Sequence, residues 1–166
     1  IAAMTSSQIR AFDTADVQAM SSAQLAALLS VTPLVLDLDG NGVGTQPAGQ
    51  GAVFDLTGTG TATPVGWVAG GDGLLAMDRN GDGRINDGRE LFGALSGDGF
   101  AELARHDDDG NGFIDAGDAV YARLLALSKD ARGSDVLTPL AALGIGALYL
   151  GSVETPFSVN TAANET

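Results

Sequence analysis

Oxygen-bearing side chains recur through the segment DDDGNGFIDAGD (107–118). Asp107, Asp109 and Asn111 take the first, third and fifth places, Asp115 the ninth and Asp118 the twelfth. Gly112 at the sixth place permits a sharp turn, Phe113 at the seventh offers a backbone carbonyl, and Ile114 at the eighth is apolar. A hard cation takes six to eight oxygens at roughly 2.3–2.6 Å, and alternate residues of a tight loop turn inward to supply them. The spacing is that of an EF-hand calcium loop. Asp, Asn and Gly also favour plain solvated turns, but the number of matched places exceeds what a turn requires. Asp118 stands where a glutamate is usual, so its shorter arm reaches the ion through one oxygen or through water.

A second loop lies upstream in DRNGDGRINDGRE (78–90). Asp78, Asn80 and Asp82 fit the first, third and fifth places, Gly83 the sixth, Ile85 the eighth and Asn86 the ninth, with Arg84 offering the seventh-place carbonyl. The twelfth place is Arg89, and the acid comes one residue later at Glu90. Either the loop is one residue longer than standard or Asp87 closes it. Gly88 supplies backbone freedom for the longer form, which is favoured. EF loops usually work in pairs bridged at the eighth place, so Ile85 and Ile114 are the expected partners.

Weaker relatives follow the same rhythm. DLDGNG (37–42) has oxygens at alternate places but no acid to close it, and DLTGTG (55–60) replaces carboxylates with poorly coordinating hydroxyls. Asp130, Arg132 and Ser134 begin alike, but a cation at the third place argues for an ordinary turn.

The elements that must position these loops change character along the chain. Residues 1–32 repeat in eights. Ile1, Ile9, Val17 and Leu25 open the units, with Met4, Phe12, Met20 and Leu28 three residues on. TSSQ (5–8) and SSAQ (21–24) have the form of capping boxes, which suggests a helical repeat arm continuing upstream. Short apolar runs broken by glycine at 34–36, 52–54, 65–68 and 74–77 read as strands, with Trp67 as a core anchor. Helices are expected at 90–95, 99–106, 116–127 and 140–143, then a strand at 147–150. His106 reads as an exposed helix-end residue. The expected fold is α+β: a small sheet packed with helices, paired EF-hand-like calcium loops and an N-terminal helical arm. The domains are then 1–32, a calcium-binding module at 33–151, and a flexible tail at 152–166.

Eight basic residues against twenty-one acidic ones give a net charge of −13, which argues against nucleic acid or an anionic membrane as partner. No apolar run is long enough to span a bilayer. With no cysteine, neither disulfides nor thiolate chemistry is available, and a cation is the natural reinforcement for a secreted chain. Without cations the acidic loops repel themselves. An isoleucine at the first position is what a segment of a longer chain would show. The sole histidine, His106, adjoins a loop, and nothing supports a histidine-based triad; the expected set of catalytic residues is empty. A calcium sensor would want methionine-rich helical faces, and Met4, Met20 and Met77 are scattered.

In order, PLVLDLDGNG (33–42), GWV (66–68), DGLL (72–75), DRNGDG (78–83), ELFG (90–93) and LAALGI (140–145) resemble the calcium-dependent self-processing module of FrpC-type RTX proteins. The likeness covers roughly residues 33–150. It implies a module of a large RTX-like or adhesin-type bacterial protein, exported by type I secretion and folding on calcium outside the cell. Its partners would be calcium ions and neighbouring repeats or domains. Self-processing relatives also cut an Asp–Pro bond just before the module, and the new aspartyl end can join a lysine. Here Thr32 precedes Pro33, and the acidic third loop of relatives is shortened between 130 and 140. The RTX nonapeptide is absent too: GGDG (70–73) begins one, but Leu75 stands where its aspartate is required. A structural module is therefore expected, with autoprocessing as the alternative.

Overall fold

The computed structural model describes residues 33–50 and 52–152. Strand β6 (Asp72–Met77) runs through its centre with all six residues buried. It pairs on one side with β1 (Val35–Asp37) and on the other with β8 (Leu124–Lys129). Strand β9 (Asp135–Pro139) extends the sheet from β8, so the antiparallel order is β1-β6-β8-β9. Two-stranded ladders pack around it: β2 (Thr45–Gln46) with β5 (Trp67–Val68), β3 (Ala52–Phe54) with β4 (Thr63–Val65), and β7 (Phe113–Asp115) with β10 (Ala147–Tyr149).

Side chains of a strand alternate between faces, and the two faces of this sheet bury separate clusters. Leu74, Ala76 and Leu127 pack with Phe54, Trp67, Ile85 and Leu91. Leu75, Met77, Leu124 and Ala126 pack with Phe92, Leu103, Ile114 and Leu140. Trp67 is the anchor its type suggests: it is buried, and Phe54 meets it edge-on with ring centroids 5.3 Å apart.

The α+β expectation is overturned. Among the described residues the only α-helix is α1 (Gly99–Leu103), capped by the Asp98 carboxylate and extended by a 3-10 turn at Ala104–His106. Segment 116–127 is not a helix: a turn leads through a 3-10 piece at Tyr121–Arg123 into β8. Its apolar spacing at three and four residues is really that of a strand covered on both faces. Such a strand needs apolar residues at nearly every place and cannot be told from a buried helix by periodicity. Residues 90–95 likewise form only the end of a 3-10 turn at Gly88–Glu90 and an isolated bridge from Leu91 to Ala76. Leu140–Leu143 is a 3-10 turn ended by Gly144 in the left-handed region (φ 74°).

No helix pair flanks either acidic loop, and the loops are not bridged to one another. Ile114 pairs in register with Leu148 of β10, while Ile85 sits in the cluster on the opposite face of the sheet. The expected helical arm at 1–32, and all of the expected tail except Ser152, lie outside the described residues. No helix among the described residues is long and apolar enough to cross a membrane.

Candidate metal centre

Four carboxylates are buried among the described residues, Asp55, Asp72, Glu90 and Asp118, and each belongs to one of the glycine-rich acidic turns or lies against one. In every turn the first aspartate caps the backbone that follows it. Asp107 accepts the N–H groups of Gly110 (2.8 Å) and Gly112 (3.0 Å), and Asp78 those of Gly81 (2.6 Å) and Gly83 (2.8 Å). Asp37 accepts from Gly40 (2.7 Å) and Gly42 (2.9 Å), and Asp55 from Thr59 (3.0 Å) and Gly60 (2.6 Å). Carboxylates accepting backbone N–H bonds are stabilised in the charged form. Accordingly the N–H groups of Gly42 and Gly40 hold the Asp37 carboxyl below the usual 3.8.

In the loop 107–118 the chain returns to close on itself. Asp118 Oδ1 accepts the Asp108 N–H (2.6 Å) and Oδ2 the Asp115 N–H (2.8 Å), joining the loop's beginning to its ninth place. The N–H groups of Asp115 and Asp108 hold the Asp118 carboxyl below 3.8. One carboxylate oxygen from each of Asp107, Asp109 and Asp118 lies within 4.8 Å of the other two. Two oxygens each about 2.4 Å from one ion are at most about 4.8 Å apart, so this all-oxygen triad fits a hard cation of the calcium kind. Asn111 Nδ2 spans Asp109 and Asp115, 3.2 Å from each, and the Phe113 N–H donates to Asn111 Oδ1 (2.7 Å). Gly117 leaves room for the loop to close, since a Cβ there would stand 2.9 Å from Asp109 Oδ2. Asp108, absent from the sequence-derived set, caps the outgoing chain through the Ala119 N–H (2.9 Å).

The loop 78–90 closes by the same device with one more residue. Glu90 Oε1 accepts the Arg79 N–H (3.1 Å), with a longer bond from Asn80 (3.4 Å), and Oε2 takes the Asn86 N–H (2.7 Å). Asp87, the other candidate closer, is instead chelated by Arg89, whose Nε and Nη2 stand 3.0 and 2.6 Å from its two oxygens. Gly88 matters for contact as well as freedom, because a side chain there would collide with the Leu56 carbonyl. Asn86 Nδ2 donates to Asp82 (2.6 Å), the main cause of the lowered Asp82 carboxyl pKa, and the exposed Arg84 donates its N–H to the same residue (2.9 Å). Asp78, Asp82 and Glu90 are not gathered into a triad as tight as that around Asp118. With two amides among its oxygen side chains, this is the weaker donor set.

The remaining turns divide clearly. Asp130 accepts the N–H groups of Arg132 and Ser134 (2.8 Å each) and joins β8 to β9 as a plain turn. His106 is half-buried, edge-on to Phe92 at 6.2 Å between ring centroids, rather than exposed.

Comparison with known proteins matches this chain to two families. A family model described as the SPM domain matches residues 34–165, and one described as the ALTTAQ repeat matches residues 1–30. The chain is 40% identical over 132 residues to the iron-regulated protein FrpA of Neisseria meningitidis serogroup C. That match takes in 71% of this chain but only 12% of FrpA.

Proposed function

The chain belongs to the SPM-domain family, the self-processing modules of FrpC-type RTX proteins, and from that premise we propose that it is a calcium-binding structural module of a secreted RTX-like or adhesin-type bacterial protein. The observation that carries the proposal is the Asp107–Asp109–Asp118 triad, closed by a buried carboxylate on the loop's own backbone. The loop 78–90, closed by Glu90, is the second and weaker site. Bound calcium would neutralise clustered carboxylates that otherwise repel one another in a chain of net charge −13. A calcium-poor cytosol then keeps the module loosely folded for type I export, and calcium outside the cell completes it at the cell surface or beyond.

At about 100-fold excess over its dissociation constant, a bound ion adds about 2.7 kcal/mol per site by mass action. That is a large share of the roughly 5–15 kcal/mol stability of an ordinary domain. Thermal melting and near-UV circular dichroism with calcium and with chelator test the reading. The chelated protein is expected to melt at a much lower temperature with a weakened near-UV spectrum; identical curves would refute it.

Self-cleavage is the competing reading, and the sequence opposes it. In the relatives it resembles, an aspartate carboxylate attacks its own carbonyl and expels the proline nitrogen. All five prolines here follow threonine or glutamine, with Thr32 before Pro33 at the corresponding place. A threonine hydroxyl attacking its own carbonyl would close a strained four-membered ring, and without a base it is a far weaker nucleophile than a carboxylate. Mass spectrometry after incubation with millimolar calcium should return the intact chain. A fragment pair split at Thr32–Pro33 would restore the enzyme.

A further inference from the structure

The turn at 37–42 has acids at its first and third places and nothing downstream to close it. The fold supplies the missing acid from another strand. In the antiparallel register of β1 and β6, Asp37 stands opposite Asp72, and the Leu38 N–H donates to the Gly71 carbonyl (3.1 Å). One carboxylate oxygen from each of Asp37, Asp39 and Asp72 lies within 4.8 Å of the other two, as in the triad around Asp118. Asp39 rests so closely on the β6 side that any side chain at Gly71 would collide with its carboxylate.

Asp72 is the telling member. It is 3% exposed and heads a strand whose other five residues are glycine or apolar. Its Oδ2 accepts the Gly44 N–H (2.8 Å), but its Oδ1 is buried with no hydrogen-bond partner. Glu90 and Asp118, the other buried closers, have both oxygens occupied by backbone N–H groups. No lysine or arginine among the described residues forms an ion pair with Asp37, Asp39 or Asp72. A buried carboxylate oxygen without donor or counter-charge is strongly disfavoured, and two more carboxylates beside it add to the cost. A cation coordinated by all three relieves both.

We infer that Asp37, Asp39 and Asp72 form a third cation site, closed across the sheet rather than along the chain and suited to calcium. It goes beyond the two sites at 78–90 and 107–118. Its consequence is mechanical: an ion there would tie β1, the module's first strand, to the buried central strand.

Native mass spectrometry of the full chain in calcium tests the site, comparing wild type with Asp72→Asn, Asp39→Asn and Asp118→Asn. Asp72→Asn and Asp39→Asn are each expected to carry one ion fewer than wild type, and Asp72→Asn combined with Asp118→Asn two fewer. If Asp72→Asn does not fold, the exposed Asp39→Asn decides alone. Full ion occupancy in Asp39→Asn and Asp72→Asn, with an ion lost in Asp118→Asn, would overturn the third site and leave the proposed function standing. A wild-type chain carrying no calcium would overturn both.

Discussion

The turns at 107–118 and 55–60 begin from one backbone design and end in opposite electrostatic solutions. In each, the first aspartate caps N–H groups four or five residues on, and the glycines at 58, 60, 110 and 112 adopt positive φ. Beyond that point the chemistry diverges. The first adds Asp109, Asp115 and a buried Asp118, whose oxygens accept only from neutral N–H and amide donors, with no lysine or arginine ion-paired to them among the described residues. The second adds only Thr57 and Thr59, whose hydroxyls bond to the Asp55 carboxylate or to each other. Nearby, Arg89 chelates Asp87 and lies along Gly58, and the field of Asp55 further strengthens its hold on the proton. One turn gathers carboxylates with no basic partner among the described residues; the other has an arginine beside it. The Asp–Gly rhythm therefore specifies a turn, and the proposed metal site lies where carboxylates gather without a cationic side chain to pair them.

The largest break in this comparison should come from Asp107→Ala with Asp118→Ala. Calorimetry should show one calcium fewer, and melting in excess calcium a loss of about 3 kcal/mol or more, since the mass-action term of about 2.7 kcal/mol goes with the site. Unchanged stoichiometry would end the assignment. Glu90→Gln should cost about 2 kcal/mol, on the scale of charge-assisted hydrogen bonds, and weaken calcium binding at the loop 78–90. Asp87→Asn should leave calcium stoichiometry untouched, and the pair of variants separates the closing acid from the arginine's partner.

Acid titration of calcium-free protein sharpens the comparison further. Burial opposes ionisation of Asp55, but the N–H groups of Gly60 and Thr59 outweigh it, and the Arg89 side chain lowers Asp87. Both folded carboxyls thus lie below 3.8, so their contribution is complete above that pH and lost as the pH falls through the lower folded values. Denaturant melts at stepped pH should show stability declining only below about pH 4. The smallest effect belongs to Arg89→Met. Its pair with Asp87 is exposed on the arginine side, so about 0.5 kcal/mol should be lost, and less in high salt. Calcium stoichiometry should not change, because the threonine hydroxyls remain poor ligands.

Much of the local chemistry was legible because its partners are close in sequence. The capping pattern of Asp107 and Asp78 spans five residues, and Asp118 and Glu90 close their loops within thirteen. Strand β3 and the buried end of β6 stood out as apolar runs between glycines. Segment 116–127 did not, because β8 is buried on both faces and its apolar run suits a helix equally well. The bridging of Ile85 to Ile114 failed for a related reason: an apolar eighth place signals burial without saying in which cluster.

Asp72 marks the boundary most sharply. In the sequence it stands only within the incomplete nonapeptide start GGDG (70–73) and the motif DGLL (72–75), and neither EF-hand-like loop includes it. The turns follow from local residue order, because each Asp carboxylate meets N–H groups only a few residues on. That Asp72 lies opposite Asp37 is a matter of long-range packing, because strand register is set by the two apolar faces of the sheet, and those are filled by residues distant in sequence.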